Sequence, residues 1–167
     1  MHATGFPPVA RADARVLILG SLPGAVSLAR REYYAQPRNA FWPIMAALLG
    51  ASPELPYAQR LDRLVGSGIA LWDVCASGFR PGSLDSAIAR DSVVPNDFPR
   101  FFAEHRRIAL IGFNGGTAAA LFERTVVPAL PEDVRAIRTA RLPSTSPAHA
   151  GMPYAEKLRR WREALGH

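Results

Sequence analysis

The sequence predicts an α/β protein with three layers, in which a central four-stranded parallel sheet lies between helices. Four short segments, three of them continuous or nearly continuous apolar runs, have the length of strands in a sheet. Segments with apolar residues at helical spacing separate these runs. Parallel strands need such crossover segments, and the crossover helices cover the faces of the sheet. These observations together indicate a parallel sheet enclosed by helices.

The predicted strands and helices alternate along the chain. The strands are predicted at residues 16–19, 69–74, 108–111 and 134–141. The helices are predicted from about 39 or 41 to 49, at 57–66, from 96 or 97 to about 105, at 117–124 and at about 153–165. Gly50 is suited to end the first helix, and Asn96 or Asp97 to cap the third. Residues 75–95 are rich in glycine and proline and predict a long loop, with at most a short helix at 86–90. Loops of this length are usually functional.

Length and composition predict one domain, residues 1–167, with a polar N-terminal arm at 1–14. No apolar run approaches the roughly 20 residues of a membrane span. The first residues lack the layout of a signal peptide. Cys75 is the single cysteine, which excludes an internal disulfide and a four-cysteine metal site. We therefore expect an intracellular, cytoplasmic monomer with no membrane partner.

The net charge of +6 and the pI near 10.4 favour a polyanionic partner. Lys157 is the only lysine, so the basic residues are nearly all arginines. Such a bias can arise from a GC-rich genome. The charge therefore supports a DNA-binding function without establishing it.

Most of the glycine, polar and aromatic residues that a ligand site could use follow predicted strands. These segments are residues 20–39, 73–85, 112–116 and 142–152. In an open parallel sheet, ligands bind outside the carboxyl ends of the strands. The four segments are therefore predicted to meet at one crevice. Residues 33–42, YYAQPRNAFW, hold more polar and aromatic groups than a core needs.

Six stretches in order resemble the uracil-DNA glycosylase superfamily, and in particular its hypoxanthine-DNA glycosylase (DNA-deoxyinosine glycosylase) branch. They are LILGSLPG, YYAQPRNAFW, LWDVCASGFRPGSLDSAI, NDF, FNG and LPSTSPAHA, which span residues 16 to about 150. The resemblance implies a four-stranded parallel sheet between helices. It also implies a DNA repair enzyme that flips a deaminated base, hypoxanthine and/or uracil, out of DNA. The enzyme would hydrolyse the N-glycosidic bond and leave an abasic site, with no metal or other cofactor.

The resemblance implies that Asn39 is the catalytic residue. In most branches of the superfamily, the turn after the first strand carries a polar third residue that handles the water, but here that residue is Leu22. The branch resembled here uses an asparagine in the next segment, and Asn39 matches it. Asn39 is also suited to cap the following helix, and both roles are compatible. A histidine opens the second motif in several branches, where this chain has Leu142. A catalytically weak binder of damaged or abasic DNA therefore remains the alternative.

Asp73 falls where superfamily members recognise the edge of the flipped base. An ionised carboxylate only accepts hydrogen bonds. Hypoxanthine N1–H and uracil N3–H are donors, whereas adenine N1 and cytosine N3 are acceptors. Asp73 would therefore favour deaminated bases, unless it pairs with Arg80 or caps a turn. Phe41 rather than Trp42 is predicted to stack on the base, although aromatic residues at a helix start usually fill the core. The predicted base-binding residues are Asp73, Phe41, Gly20, Ser21 and Leu22.

The motif at residues 142–152 is predicted to contact the phosphates that flank the flipped nucleotide, through hydroxyls and backbone amides. The predicted DNA-binding residues are Pro23, Gly24, Tyr33, Arg38, Arg80, Ser144, Thr145, Ser146 and His149. For Tyr34 two roles remain open: it could form part of the pocket wall or contact a phosphate. Ala148 and Met152 are candidates for the wedge that fills the vacated base stack. Asn114 is predicted to be a structural cap. Lys157 lies on the last helix, so we predict no Schiff-base lyase activity.

Overall fold

The computed structural model describes residues 2–167. In this range the strands are β1 (His2–Thr4), β2 (Val16–Gly20), β3 (Ile69–Asp73), β4 (Cys75–Phe79), β5 (Ala89–Pro95), β6 (Leu110–Asn114) and β7 (Arg138–Leu142). The helices are α1 (Ala25–Arg30), α2 (Phe41–Leu49), α3 (Tyr57–Gly66), α4 (Phe98–Glu104), α5 (Gly116–Thr125), α6 (Glu132–Arg135) and α7 (Tyr154–Leu165). Single 3₁₀ turns lie at Asp85–Ala87 and Val127–Ala129. None of the described helices is long and apolar enough to cross a membrane.

The central sheet has four parallel strands in the order β3-β2-β6-β7, which confirms the predicted fold class. Its two faces pack against different helices. Leu17 and Leu19 of β2 are buried with aromatic residues of α4 and α5. Ile18, between them, is buried with residues of α2, α3 and α7. Because successive side chains of a strand point to opposite faces, this alternation places a helical layer on each side of the sheet.

Residues 75–95 form a β-hairpin, so the prediction of a long loop was wrong. Strands β4 and β5 pair with each other, and β4 also pairs with β1, to give a second, antiparallel sheet in the order β1-β4-β5. The 3₁₀ turn at Asp85–Ala87 lies near the hairpin tip. Glycine and proline hid the strand pattern, and register shifts between β4 and β5 make the alternation irregular. The partner strand β1 is distant in sequence and gives no local signal.

The N-terminal residues pair with both sheets. β1 pairs with β4, and Val9 forms an isolated antiparallel bridge with Leu71 of β3. Gly5 N–H donates to the carbonyl of Ala76 over 2.8 Å. This segment therefore lies across the sheets and fixes β4 next to the end of β3.

One helix and the bounds of two strands also differ from the prediction. Helix α1 was not predicted. The third predicted strand continues through Gly112 to Asn114, because a Cβ at Gly112 would lie 3.0 Å from Leu142 Cδ1, so the glycine allows close packing on β7. The fourth predicted strand starts as the short helix α6, which follows Pro131 and carries two acidic residues in its first turn. At α4 the predicted cap is confirmed, since the Asp97 carboxylate accepts from Arg100 N–H.

Candidate active site

A cavity of about 380 Å³ opens at the carboxyl ends of the parallel strands. This volume lies within the usual range of small-molecule sites, roughly 300–1,000 Å³. The lining comes from the turn after β2, the segment before α2, the ends of β3 and β6, the β4–β5 hairpin tip and the loop after β7. The four segments predicted to meet at one crevice therefore do meet there.

The turn after β2 is held against the start of the second sheet. Val74 N–H donates to the carbonyl of Gly20 over 2.8 Å, and Cys75 N–H donates to the carbonyl of Ser21 over 3.0 Å. These bonds continue the β2–β3 pairing past the end of the central sheet. Ser21 and Leu22 line the cavity and are almost fully buried. Leu22 also belongs to the core, as expected of a residue that shapes the cavity and holds no water.

Gly20 allows two polar groups to approach the floor of the cavity. A Cβ at this position would lie 2.5 Å from Asp73 Oδ1 and 2.8 Å from the Tyr34 hydroxyl. Both contacts are too short for real carbon atoms, so no larger residue fits without displacing these groups. The missing side chain of Gly20 therefore brings a carboxylate and a phenol together.

Asp73 ends β3 and is 4% exposed. Its Oδ2 atom is buried and has no hydrogen-bond partner among the described residues. Burial raises the pKa of this carboxyl to about 7, with a further contribution from Asp85 and an opposing one from Arg80. The ion pair of this region joins Arg80 to Asp85 over 3.7 Å. A buried carboxylate without a partner is costly, so Asp73 is suited to a ligand that donates a hydrogen bond.

Asn39 lines the cavity, and its side chain also bonds to the first residue of the helix that follows it. Its Oδ1 atom accepts from Phe41 N–H over 2.9 Å, which fixes the orientation of the amide. No hydrogen bond from Nδ2 to the described residues accompanies it. The next residue, Ala40, donates its N–H to the carbonyl of Thr145 over 2.9 Å, which joins this segment to the loop after β7. Ala40 is the N-cap residue of α2, so Asn39 supports the start of the helix from one residue further back, and its catalytic role stays a prediction.

Tyr34 lines the cavity, whereas Phe41 does not. Phe41 is fully buried, does not line the cavity, and stacks against Tyr34 with 4.2 Å between ring centroids and 29° between planes. The prediction that Phe41 stacks on the base was therefore wrong, because the start of α2 packs into the core. Tyr34 has a left-handed backbone with φ of 55°, which is uncommon outside glycine. Burial raises the pKa of the Tyr34 hydroxyl, so this group stays neutral.

Tyr33 and Arg80 were predicted to contact DNA, but both side chains are buried in the structure, although Tyr33 also lines the cavity. Tyr33 is 4% exposed, and its hydroxyl donates to the carbonyl of Pro7 over 2.9 Å. Arg80 is 2% exposed, and its guanidinium donates to the carbonyls of Leu22 and Pro23 in the turn and of Gly82 in the hairpin. Both side chains are occupied inside the protein. Arg80 therefore ties the hairpin to the turn instead of binding phosphate.

The hairpin tip supplies three cavity residues, which the sequence placed in the predicted crevice segment 73–85. Asp85 Oδ1 accepts from the Ser21 hydroxyl over 2.7 Å, and Ser83 Oγ accepts from Ala25 N–H over 2.9 Å. Burial raises the pKa of Asp85, while the hydrogen bond from Ser21 opposes this shift. Leu84, between them, also lines the cavity and is 55% exposed. The run SLD belongs to a stretch that resembles the superfamily, but its hydrogen bonds to the turn after β2 depend on a hairpin absent from the prediction.

The loop after β7 is held by a pair of buried side chains. Asn114 Nδ2 donates to Thr145 Oγ1, and Thr145 N–H donates to Asn114 Oδ1, each over 2.9 Å. Thr145 lines the cavity but is 1% exposed and bonded to Asn114, so its predicted DNA contact stays a prediction that this burial does not support. Ser144 and Ser146 are partly exposed and line the cavity, as a phosphate contact requires.

The remaining predicted DNA contacts lie at or near the rim. Arg38 is exposed and lines the cavity, as do the buried Pro23 and the partly exposed Gly24. His149 is exposed outside the lining, and its carbonyl accepts from the buried Lys157 Nζ over 2.8 Å. Lys157 is itself absent from the lining and anchors this loop to α7. The DNA contacts of Arg38 and His149 stay predictions.

The sequence of the chain is similar to that of known proteins. The sequence profile of the uracil DNA glycosylase superfamily matches residues 7–165. The chain belongs to this superfamily. A relative from Methanosarcina barkeri, named hypoxanthine DNA glycosylase, is 37% identical over 116 residues, which cover 69% of this chain and 72% of the relative. A protein of the same name from Methanosarcina acetivorans is 37% identical over 119 residues, which cover 71% and 74%.

The fold of this uracil-DNA glycosylase superfamily member also matches a solved structure. A solution NMR structure from Methanosarcina acetivorans, provisionally assigned as a uracil DNA glycosylase, has a TM-score of 0.77 and 32% identity over 100% of both chains. The superfamily membership confirms the resemblance found in the sequence motifs. In residues 2–167, no three His, Cys, Asp or Glu side chains are grouped as metal ligands would be.

Proposed function

We propose that this chain is a monofunctional DNA glycosylase that excises a deaminated base, hypoxanthine and/or uracil, and leaves an abasic site. The DNA glycosylase activity follows from the superfamily. The deaminated base is our own assignment, and the observation that carries it is the buried, unpartnered carboxylate of Asp73 at the floor of the cavity. The names of the two Methanosarcina relatives support hypoxanthine as the first substrate to test.

Recognition of the base follows from the hydrogen-bonding pattern of its edge. Ionised Asp73 accepts from N1–H of hypoxanthine or N3–H of uracil. Adenine and cytosine present an unprotonated ring nitrogen at the same place, which repels the carboxylate. The ring of Tyr34 offers a face on which the extrahelical base stacks. Stacking favours any base, so Asp73 supplies the discrimination.

Hydrolysis needs a water held next to the sugar, and Asn39 is the group that we assign to this task. An amide is a poor base but a good hydrogen-bonding group, so it orients water without deprotonating it. The bond between C1′ and the base nitrogen breaks first, and its electron pair leaves with the base. The water oxygen then bonds to C1′ of the oxocarbenium-like sugar, and the proton that it loses ends on the departed base.

Binding of the flanking phosphates is assigned to the loop after β7. Ser144 and Ser146 line the cavity, and the pair formed by Asn114 and Thr145 holds this loop in place. Phosphate contacts set the register of the protein on DNA and carry no sequence information. The net charge of +6 supports this contact in general terms.

A strand-specific cleavage assay tests the proposal. The full chain is incubated with oligonucleotides that contain a single deoxyinosine, deoxyuridine or deoxyxanthosine, and abasic sites are then cleaved with alkali. We expect cleavage of the deoxyinosine strand, the deoxyuridine strand or both. If no strand is cleaved at high protein concentration while a gel shift shows selective binding to damaged DNA, the weak-binder alternative is correct. The relatives named as glycosylases do not favour that alternative.

A further inference from the structure

Lys157 is the only lysine of the chain, and its side chain is buried on helix α7. It is 6% exposed, whereas lysines almost always reach solvent unless they are paired. None of the ion pairs between described residues includes it. Burial lowers the pKa of its ammonium group. A cation without an opposite charge costs stability in such a place, so its presence calls for a role other than filling the core.

The buried face of α7 is bonded to the loop after β7 at two points. Lys157 Nζ donates to the carbonyl of His149 over 2.8 Å. Trp161, which is also buried, donates from Nε1 to the carbonyl of Pro143 over 2.9 Å. Lys157 and Trp161 are one helical turn apart and lie on the same face of the helix. One face of α7 therefore holds both ends of the segment 143–149.

The segment between these two anchors carries the serines to which phosphate binding is assigned. Ser144 and Ser146 line the cavity, whereas Lys157 does not. The pair formed by Asn114 and Thr145 fixes the middle of the segment, and α7 fixes its ends. A loop that is ordered before DNA arrives loses less conformational entropy on binding. Lys157 can therefore act on DNA through the loop without touching it.

We propose that Lys157 is a positioning residue for DNA binding, which holds the His149 end of the loop after β7 in the form that receives phosphates. This inference rests on the proposed function, which assigns the flanking phosphates to this loop. Trp161 holds the Pro143 end, and its ring also meets Phe41 edge-on with 6.0 Å between ring centroids. Trp161 thus serves the core as well as the loop. Lys157 is the better residue to test, because its bond reaches the loop alone.

The first test compares stability with DNA affinity. Lys157→Met keeps a long apolar stem and removes the buried charge, so urea titration should show wild-type or higher stability. Fluorescence anisotropy on a deoxyinosine duplex should show binding weaker by about fivefold or more, because the released loop must be ordered when DNA binds. Lys157→Leu should behave in the same way and serves if one variant does not fold. Arg162→Met is the matched control, since it removes an exposed cation from the same helix and should change affinity much less.

The second test distinguishes positioning from a direct phosphate contact. The affinity for DNA falls with salt along a slope that reflects the number of phosphates contacted. Lys157→Met should keep the wild-type slope, because Lys157 Nζ bonds to a carbonyl. Single-turnover excision should keep its maximal rate at saturating protein, since Asn39 and Asp73 are untouched. The protein concentration that gives half of this rate should rise in step with the loss of affinity.

Three results would overturn the inference: wild-type affinity in Lys157→Met, a salt slope reduced by about one, or a lower maximal rate with unchanged affinity. Hydrogen exchange of residues 143–149 in the free chain adds a measurement that needs neither DNA nor cleavage. Exchange should be faster in Lys157→Met than in wild type, and equal exchange would also contradict the proposal. Absence of cleavage by the wild-type chain counts against the proposed function, while hydrogen exchange still decides whether Lys157 orders the loop.

Discussion

Asn114 and Thr145 bind each other through two hydrogen bonds, across the gap between the end of β6 and the loop after β7. Both residues are almost fully buried. Thr145 in turn accepts from Ala40 N–H, next to Asn39. One buried pair therefore sets the spacing between the predicted phosphate-binding serines and the predicted catalytic amide.

Removal of this pair should cost both stability and DNA binding. Asn114→Ala leaves the Thr145 N–H and hydroxyl unpaired in a buried place, and we expect a loss of about 1–3 kcal/mol in the free energy of unfolding. Urea titration measures this loss, and a gel shift on deoxyinosine DNA measures the weaker binding. Thr145→Ser keeps both hydrogen bonds and serves as the control. Equal behaviour of the two variants would show that the pair does not position the loop.

Asn39 has an observed contact with the start of α2 and a proposed catalytic role, and substitutions can separate the two. Asn39→Ala should lower the turnover number by about 10²-fold or more, as loss of one preorganised polar group does in other enzymes. It should also destabilise the fold by roughly 1 kcal/mol through loss of the helix cap. Asn39→Ser keeps a capping oxygen and removes the amide, so it should retain stability and still lose turnover. Wild-type turnover in both variants would reduce Asn39 to a helix cap.

The raised pKa of Asp73 predicts a pH dependence of base selection. Above pH 7 the carboxylate is ionised and only accepts hydrogen bonds. Below pH 7 it is increasingly protonated and donates as well, so the repulsion of adenine should weaken. Binding of the wild-type chain to undamaged and deoxyinosine duplexes should be measured between pH 5 and 9. The preference for the deoxyinosine duplex should decrease as the pH is lowered. Asp73→Asn should abolish this dependence near pH 7, and a flat wild-type profile would contradict the prediction.

The same carboxyl predicts how stability changes with pH. The pKa of Asp73 is about 7 in the folded protein, against an ordinary value of 3.8, so the folded state holds the proton more tightly. Its contribution to stability is therefore fully present below about pH 4 and is lost as the pH rises through about 7. The full shift corresponds to a loss on the order of 4 kcal/mol at most. Urea titrations should show that Asp73→Asn is less sensitive than wild type to this rise in pH.

Gly20 and Gly66 offer a matched pair of alanine substitutions. Gly20→Ala places a carbon against Asp73 Oδ1 and the Tyr34 hydroxyl, so it should cost about 1–3 kcal/mol and reduce excision strongly. Gly66→Ala meets no atom within 4 Å at the end of α3 and should leave stability and activity nearly unchanged. Thermal unfolding and the cleavage assay measure both effects. Wild-type stability and activity in Gly20→Ala would show that the Asp73 and Tyr34 side chains can move to accommodate the added methyl group.

Three of the four strands of the central sheet could be predicted because they are local apolar runs. Val16–Gly20 and Ile69–Asp73 are each a continuous buried segment, and their order along the chain defines the parallel arrangement. The β4–β5 hairpin could not be predicted in this way. Its strands contain glycine and proline and pair with β1 from the start of the chain, so the information lies in contacts between distant residues.

The candidate site shows the same division. Asn39 and Asp73 were found through motifs, and the structure brings them to one cavity. Phe41 and Tyr34 were not distinguished correctly, because two aromatic residues in one short segment look alike until packing assigns one to the core. Arg80 was mistaken for a DNA contact, since an arginine in an apparent loop usually lies in solvent, whereas here three carbonyls enclose it.

The single residue Val74 between β3 and β4 has a consequence for how such proteins diverge. Asp73 closes one sheet and Cys75 opens the other, so the residues from Asp73 to the hairpin tip form one continuous piece of chain. That piece holds together Asp73, the carboxylate proposed to recognise the base, the buried Arg80 and the exposed cavity residue Leu84. An exchange of this segment between relatives would transfer this part of the cavity as a unit, whereas an insertion at Val74 would separate Asp73 from the hairpin. We therefore expect the residues of this segment to change together when substrate preference changes among relatives.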